Sequence, residues 1–169
     1  MNRALVAALA TSTLMLAGCG LQQDLSKVPF GNGPVGPAPP ITAPTLKGTQ
    51  FDWSATRGHV LVVDFWGSWC EPCRAEQPAL NTLVNQYVPK GVVFVGVDLL
   101  DNDQAGMAYE RNFNVAYPSV NDSSEVIASE YNVINPPTVI IVDAKGNIVD
   151  RFLGTLSGVS ADLNRLLPS

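Results

Sequence analysis

The chain has 169 residues, with 10 Lys and Arg against 15 Asp and Glu, a net charge of −5 at neutral pH and a 46% share of hydrophobic residues. An acidic chain without a basic cluster argues against nucleic acid as a partner and against electrostatic docking to anionic lipid, both of which rest on clustered Lys and Arg. The length suits one folded domain with an appended segment, and three cysteines leave one over after any pairing.

In chain order, Met1-Asn2-Arg3 precedes an apolar run from Ala4 to Ala17. A short positive start followed by a short apolar stretch reads as an export signal over residues 1–18, too short for a comfortable membrane span. Its end, Leu16-Ala17-Gly18-Cys19, resembles the lipobox of bacterial lipoproteins. That resemblance implies cleavage before Cys19 and lipidation of Cys19, holding the protein on the outer, extracytoplasmic face of a bacterial cell membrane. It also leaves Cys70 and Cys73 as the only free pair. Residues 19–44 read as an extended tether, because Pro29, Pro34, Pro37, Pro39, Pro40 and Pro44 are interspersed with Gly31, Gly33 and Gly36 and no hydrophobic period runs through them. The folded domain is expected over residues 45–169.

Within that domain, Phe51 to Trp53 reads as a short strand of an N-terminal hairpin, and Val60 to Phe65 as a buried strand. Pro72 to about Tyr87 reads as a helix stopped by Pro89 and Gly91, and Val92 to Val97 as a second buried strand. Helical stretches follow at Gln104 to Asn112 and Ser124 to Tyr131, the latter with Ser123 or Ser124 as N-cap. Thr138–Val142 and Ile148–Leu153 flank Asp143-Ala144-Lys145-Gly146-Asn147, a hairpin signal, and Ser160 to Leu167 closes as a helix. A βαβ start with an antiparallel end predicts an α/β fold, a central mixed sheet flanked by helices.

Trp69-Cys70-Glu71-Pro72-Cys73 lies where the first buried strand hands over to a helix. The unpaired N–H groups of a first helical turn carry partial positive charge and favour a thiolate, the reactive species in thiol–disulfide exchange. Pro72 suits that turn, where its missing N–H would be unpaired anyway. A zinc site needs four ligands, and only Cys19 and the single His59 remain to supply them. A purely structural disulfide across so short a loop constrains little. The spacing therefore points to a redox dithiol without cofactor or metal, with Cys70 facing solvent as nucleophile and Cys73 one turn deeper as resolving thiol. Asp64, in the buried strand, is expected to have a raised pKa suited to proton exchange with Cys73. Trp66 is assigned to the core and Trp69 to a partner-binding rim, and His59 receives no role.

Four features resemble the thioredoxin superfamily in its membrane-tethered TlpA/ResA/DsbE-like branch. They are Phe65-Trp66-Gly67-Ser68-Trp69-Cys70-Glu71-Pro72-Cys73, Pro78 in the following helix, Pro137-Thr138 at the family's cis-proline position, and the segment from Val97 to Asp122 with Tyr117-Pro118. The likeness covers about Leu46 to Leu167. It implies a thioredoxin fold with an N-terminal β extension and a central αβ insertion, and an extracytoplasmic thiol–disulfide oxidoreductase. Partners would be exported proteins with cysteines or disulfides, apocytochromes among them, and a membrane electron donor or acceptor that resets the dithiol.

The resemblance further implies that Asp64 lies beneath the cysteines, that Glu76 matches the acid that ResA-like proteins place beside their dithiol, and that Pro137 is cis. Carrying both Asp64 and Glu76 departs from ResA-like proteins. With Glu71 they form a group of carboxylates opposing a Cys70 thiolate, which leans the reading toward a reductase rather than a disulfide-forming oxidase. Where relatives pair the residue before the cis-proline with a partner's backbone, this chain has Pro136, which lacks an N–H, so partner contacts are expected to differ there. A Sco-like copper-delivery protein on the same fold needs a histidine far downstream, and none follows His59. A peroxiredoxin-like peroxidase finds no local match, and a binding module does not account for the intact dithiol.

Overall fold

The structure is a computed structural model that describes residues 36–168. Its elements run β1 (Thr42–Pro44), β2 (Gln50–Asp52), β3 (Leu61–Trp66), α1 (Glu71–Tyr87), β4 (Val93–Leu99), α2 (Asp103–Phe113), β5 (Ser119–Asp122), α3 (Val126–Glu130), β6 (Thr138–Val142), β7 (Ile148–Leu153) and α4 (Val159–Leu166). The expected signal and Cys19 lie outside the described residues. Among those described, no helix is long and apolar enough to cross a membrane.

The near-continuous apolar runs of β3, β4 and β6 are buried on both faces, as interior strands covered on two sides must be. They form the middle of a five-stranded sheet in the order β5-β4-β3-β6-β7. The βα crossovers make β3, β4 and β5 parallel, and the Asp143–Asn147 turn makes β6 and β7 antiparallel. The sheet is therefore mixed, as expected. β5, unassigned in the sequence, extends it beyond β4 as the strand of the insertion.

Alternation along β3 divides the core. Val62 and Trp66 join one apolar cluster with Leu80, Val84 and Tyr87 of α1, Tyr109 of α2 and Leu163 of α4. Leu61, Val63 and Phe65 join a second cluster with Ala128 of α3, Tyr131 and the N-terminal segment. Asp64 shares the face of Val62 and Trp66, the α1 side.

Two expectations are corrected. Residues 36–44 are part of the folded unit, whereas the domain was expected to begin at 45. Ile41 is 1% exposed in the second cluster, Ala38 packs there with it, and the Pro39 carbonyl accepts from the Tyr131 hydroxyl at 2.6 Å. Prolines lack donors but not apolar surface, so a Pro-rich stretch with one well-placed Ile can dock without a period to announce it. Helix α3 starts later than expected. Its N-cap is Glu125 in the left-handed region (φ 56°), and the Asp122 carboxylate accepts from Ala128 N at 2.8 Å, satisfying an N-terminal donor that Ser123 or Ser124 was expected to serve.

Candidate active site

After β3 the chain turns through Gly67-Ser68-Trp69 into α1. A Cβ on Gly67 would lie 2.7 Å from the Trp69 indole nitrogen, so only glycine lets Trp69 fold back. The indole N–H then donates to the Leu99 carbonyl at 2.9 Å, and Ser68 N donates to the Asp101 carboxylate at 2.9 Å. Two bonds, one to the last residue of β4 and one to the loop after it, thus fix the entrance to the dithiol. The Trp69 ring remains half exposed.

Cys70 is the N-cap of α1, its Sγ accepting from Cys73 N at 3.2 Å, with Pro72 in the first turn. A disulfide joins Cys70 to Cys73, their Cα atoms 5.3 Å apart. Cys70 was expected to face solvent. Instead it is 3% exposed and Cys73 2%, both within the α1-side cluster. In the disulfide state the N-cap geometry turns Cys70 Sγ inward over the helix terminus, toward Cys73.

Asp64 is 1% exposed. The Tyr117 hydroxyl donates to its Oδ2 at 2.6 Å, and Oδ1 has no partner among the described residues. Burial pushes its pKa up to about 7, with the Tyr117 bond working against that rise and the Glu76 charge adding to it. Glu76, on α1, is half-buried, and its Oε1 is buried without a partner among the described residues, so desolvation raises its pKa too. Glu76 borders an open groove of about 380 Å³ lined by Pro72, Ala75, Ala79 and Gly154–Leu156. Glu71 points to solvent and pairs with Arg74 at 3.2 Å, so its charge is offset, a partner the carboxylate count left out.

The register Phe65↔Thr138 brings the loop before β6 to the dithiol end of β3. There the Pro136–Pro137 bond is cis. Pro137 is buried, Pro136 half-buried and Ile134 85% exposed.

Sequence reasoning missed three residues. Gln77, facing inward from α1, is 0% exposed. The Tyr117 and Tyr109 hydroxyls lie 3.2 and 3.3 Å from its Oε1, and the Tyr109 hydroxyl also lies 3.0 Å from the Cys73 carbonyl. Tyr109 stacks on Trp66, ring centroids 4.3 Å apart. Only the Gln at a core-facing helix position offered a local signal. The pairing depends on residues 32 to 53 positions apart in sequence.

A disulfide at a helix N-terminus, with a buried acid on the same side of the sheet, is the arrangement of a thiol–disulfide exchange site. Comparison with known proteins agrees. The Redoxin family model matches residues 34–167. The thioredoxin-like protein YneN of Bacillus subtilis is 32% identical over 142 residues, 83% of each chain. The thiol-disulfide oxidoreductase ResA of Bacillus anthracis is 28% identical over 135 residues, 80% of this chain and 76% of that protein. The crystal structure of a secreted Mycobacterium tuberculosis disulfide oxidoreductase homologous to Escherichia coli DsbE superposes with a TM-score of 0.67 at 27% identity, covering 75% of this chain and 96% of that one. With the dithiol, the sheet order and these likenesses in agreement, the chain belongs to the Redoxin family and is a ResA/DsbE-like thiol–disulfide oxidoreductase of the thioredoxin fold.

Proposed function

We propose that this oxidoreductase acts outside the cytosol as a reductase of exported proteins, held at the outer face of a bacterial membrane by lipid on Cys19. The observation that carries the chemistry is the Cys70–Cys73 disulfide at the N-terminus of α1, with Asp64 buried on the same side of the sheet. In the reduced protein, the Cys70 thiolate attacks a partner disulfide and forms a mixed disulfide, releasing one partner thiolate. Cys73 gives its proton to the Asp64 carboxylate, attacks Cys70 Sγ and expels the second partner sulfur as thiolate. The partner gains two electrons and the protein dithiol loses two. A membrane electron donor returns them.

The direction follows from charge. A strong oxidant stabilises its reduced, thiolate form. Here Asp64 and Glu76 oppose a Cys70 thiolate, while Glu71 contributes less because Arg74 pairs with it. Glu76 serves as a second acid at the groove beside Pro72. Trp69, Glu71, Pro72, Pro136 and Pro137 form the docking rim. Because Pro136 has only a carbonyl, a partner backbone can donate to it but receives nothing back, which favours partners held by side-chain contact with Trp69 and Ile134. Paired cysteines of apocytochromes are one such substrate class, giving a role in cytochrome c maturation.

The test is insulin-disulfide reduction by wild type and by Cys70→Ser, with the reduction potential of the dithiol. Activity lost in the variant and a potential near about −270 mV support a reductase, and one near about −120 mV turns the reading to an oxidase. Radiolabelled palmitate incorporated by wild type but not by Cys19→Ser tests the anchor.

A further inference from the structure

The polar chain beneath the dithiol has a proton count that depends on Asp64. The Phe113 carbonyl can only accept, so the Asn81 amide nitrogen faces it at 2.8 Å. Asn81 Oδ1 then accepts from Gln77 Nε2 at 3.1 Å, and this leaves Gln77 Oε1, an acceptor, turned toward both tyrosines. The amide orientation of Gln77 is thus fixed by a backbone group on α2. Three acceptors now face two hydroxyl protons: Asp64 Oδ2, Gln77 Oε1 and the Cys73 carbonyl, against Tyr117 and Tyr109.

With Asp64 ionised, the Tyr117 proton goes to the carboxylate, the strongest acceptor. Tyr109 must then divide its single proton between Gln77 Oε1 and the Cys73 carbonyl, so that the carbonyl, which also takes its helical bond within α1, holds its second bond only part of the time. With Asp64 protonated, its own O–H donates to the Tyr117 oxygen. Tyr117 then donates to Gln77, Tyr109 donates to Cys73, and every acceptor is served.

We propose that Tyr117 and Gln77 are positioning residues for exchange, relaying the protonation state of Asp64 through Tyr109 to the backbone of Cys73. Taking the Cys73 proton onto Asp64 thus frees Tyr109 to hold its bond to the Cys73 carbonyl, alongside the helical one, at the moment the Cys73 sulfur attacks Cys70. The proposal rests on the oxidoreductase reading and on Asp64 as the proton acceptor. The other titratable groups facing Asp64 are Glu76 from α1 and Tyr109 from α2, and Glu76 lifts its pKa by charge. The direct Tyr117 bond favours the ionised form, whereas Gln77 as final acceptor favours the protonated one.

Removing the two groups should therefore move Asp64 in opposite directions, a result that a loosened fold does not give. The experiment is an NMR titration of the Asp64 carboxyl carbon in oxidised full-length protein labelled with ¹³C-aspartate, together with the pH profile of disulfide reduction. Tyr117→Phe should raise the Asp64 midpoint by about one pH unit, roughly tenfold in its ionisation constant. It should also shift the ascending limb of the rate profile by the same amount. Gln77→Leu should lower the midpoint. In an Asp64→Asn background, Tyr117→Phe should leave the profile unchanged. Midpoints that coincide with wild type in both variants, or that move the same way, overturn the relay. If Asp64→Asn itself leaves the rate profile intact, the Asp64 proton step fails and the relay falls with it. Insulin reduction that survives in Cys70→Ser removes the reading on which both rest.

Discussion

Asp64 and Asp98 stand on neighbouring strands, β3 and β4, on the same face of the sheet, and both are buried. Asp64 faces a neutral hydroxyl donor, Tyr117, and titrates near 7. Asp98 sits among acids. Among the described residues neither of its oxygens has a donor, and burial, Asp101, Glu110 and Asp103 push it up to about 8. An acid given a neutral donor in a dry site is poised to trade a proton at physiological pH. An acid surrounded by acids holds its proton to alkaline pH and behaves as a neutral polar wedge. Burial is common to the two regions, so the neighbours decide how firmly each acid holds its proton.

Four measurements break or sharpen that contrast. The largest concerns Asp98 and stability. Its folded pKa is raised, so the fold binds its proton where the unfolded chain does not, and stability declines as pH climbs from the unfolded value near 4 through about 8. Asp98→Asn abolishes that decline. Urea titrations should show the variant more stable than wild type by on the order of 3 kcal/mol at pH 9 and nearly equal at pH 4, with insulin reduction unchanged. A stability difference that does not depend on pH would refute the assignment.

Asp64→Asn is expected to do the converse for activity. Reduction at pH 7 should fall about a hundredfold, the low end of the usual weight of a positioned general base. Its stability gain should develop between the unfolded pKa near 4 and about 7, one unit lower than for Asp98. Stopped-flow kinetics and urea titration across that range separate the two effects.

Gly106 tests the wedge from the other side. A Cβ there would lie 2.2 Å from Asp98 Oδ2 and 3.0 Å from Leu46 Cδ1, so α2 rests directly on the carboxyl. Gly106→Ala should lower stability by about 1–2 kcal/mol despite alanine's better helix propensity, and Gly106→Ala combined with Asp98→Ala should recover much of it in a double-mutant cycle. Smallest is Glu71→Gln. Its pair with Arg74 is solvated, and thermal denaturation should register no more than about 0.5 kcal/mol.

Much of this architecture is written locally. The apolar runs of β3, β4 and β6 specify interior strands, and Pro72 with the cysteines marks the start of α1. The Asp143–Asn147 turn carries its own signal, because Asp143 Oδ1 accepts from Lys145 N and Asn147 N, both at 2.9 Å. The two buried acids were unequal to a reader of sequence. Asp64 stood out because it interrupts an apolar run six residues before Cys70, whereas Asp98 follows Val97 near the edge of a run and looks like a strand end. Tyr117, Gln77 and Tyr109 come together only after β5 joins the sheet and α2 packs on α1, and such convergence has no spacing to read. Ile41 was hidden by its prolines. Cys70 was expected at the surface because position in a motif sets chain direction, not the way a cap turns its side chain.

The N-terminal segment fixes more than packing. Gly36 accepts from Ile148 N at 2.9 Å and Pro37 bridges Asn147, so the chain joins the domain beside the β6–β7 turn. That turn lies where Leu61 pairs with Val142, while the dithiol follows Trp66 at the far end of the same strand. Tension applied through the N-terminus therefore loads the Gly36–Ile148 and Pro37–Asn147 contacts and bypasses the disulfide. An anchor upstream of Gly36, such as the one proposed at Cys19, would therefore hold the domain by the end opposite its disulfide.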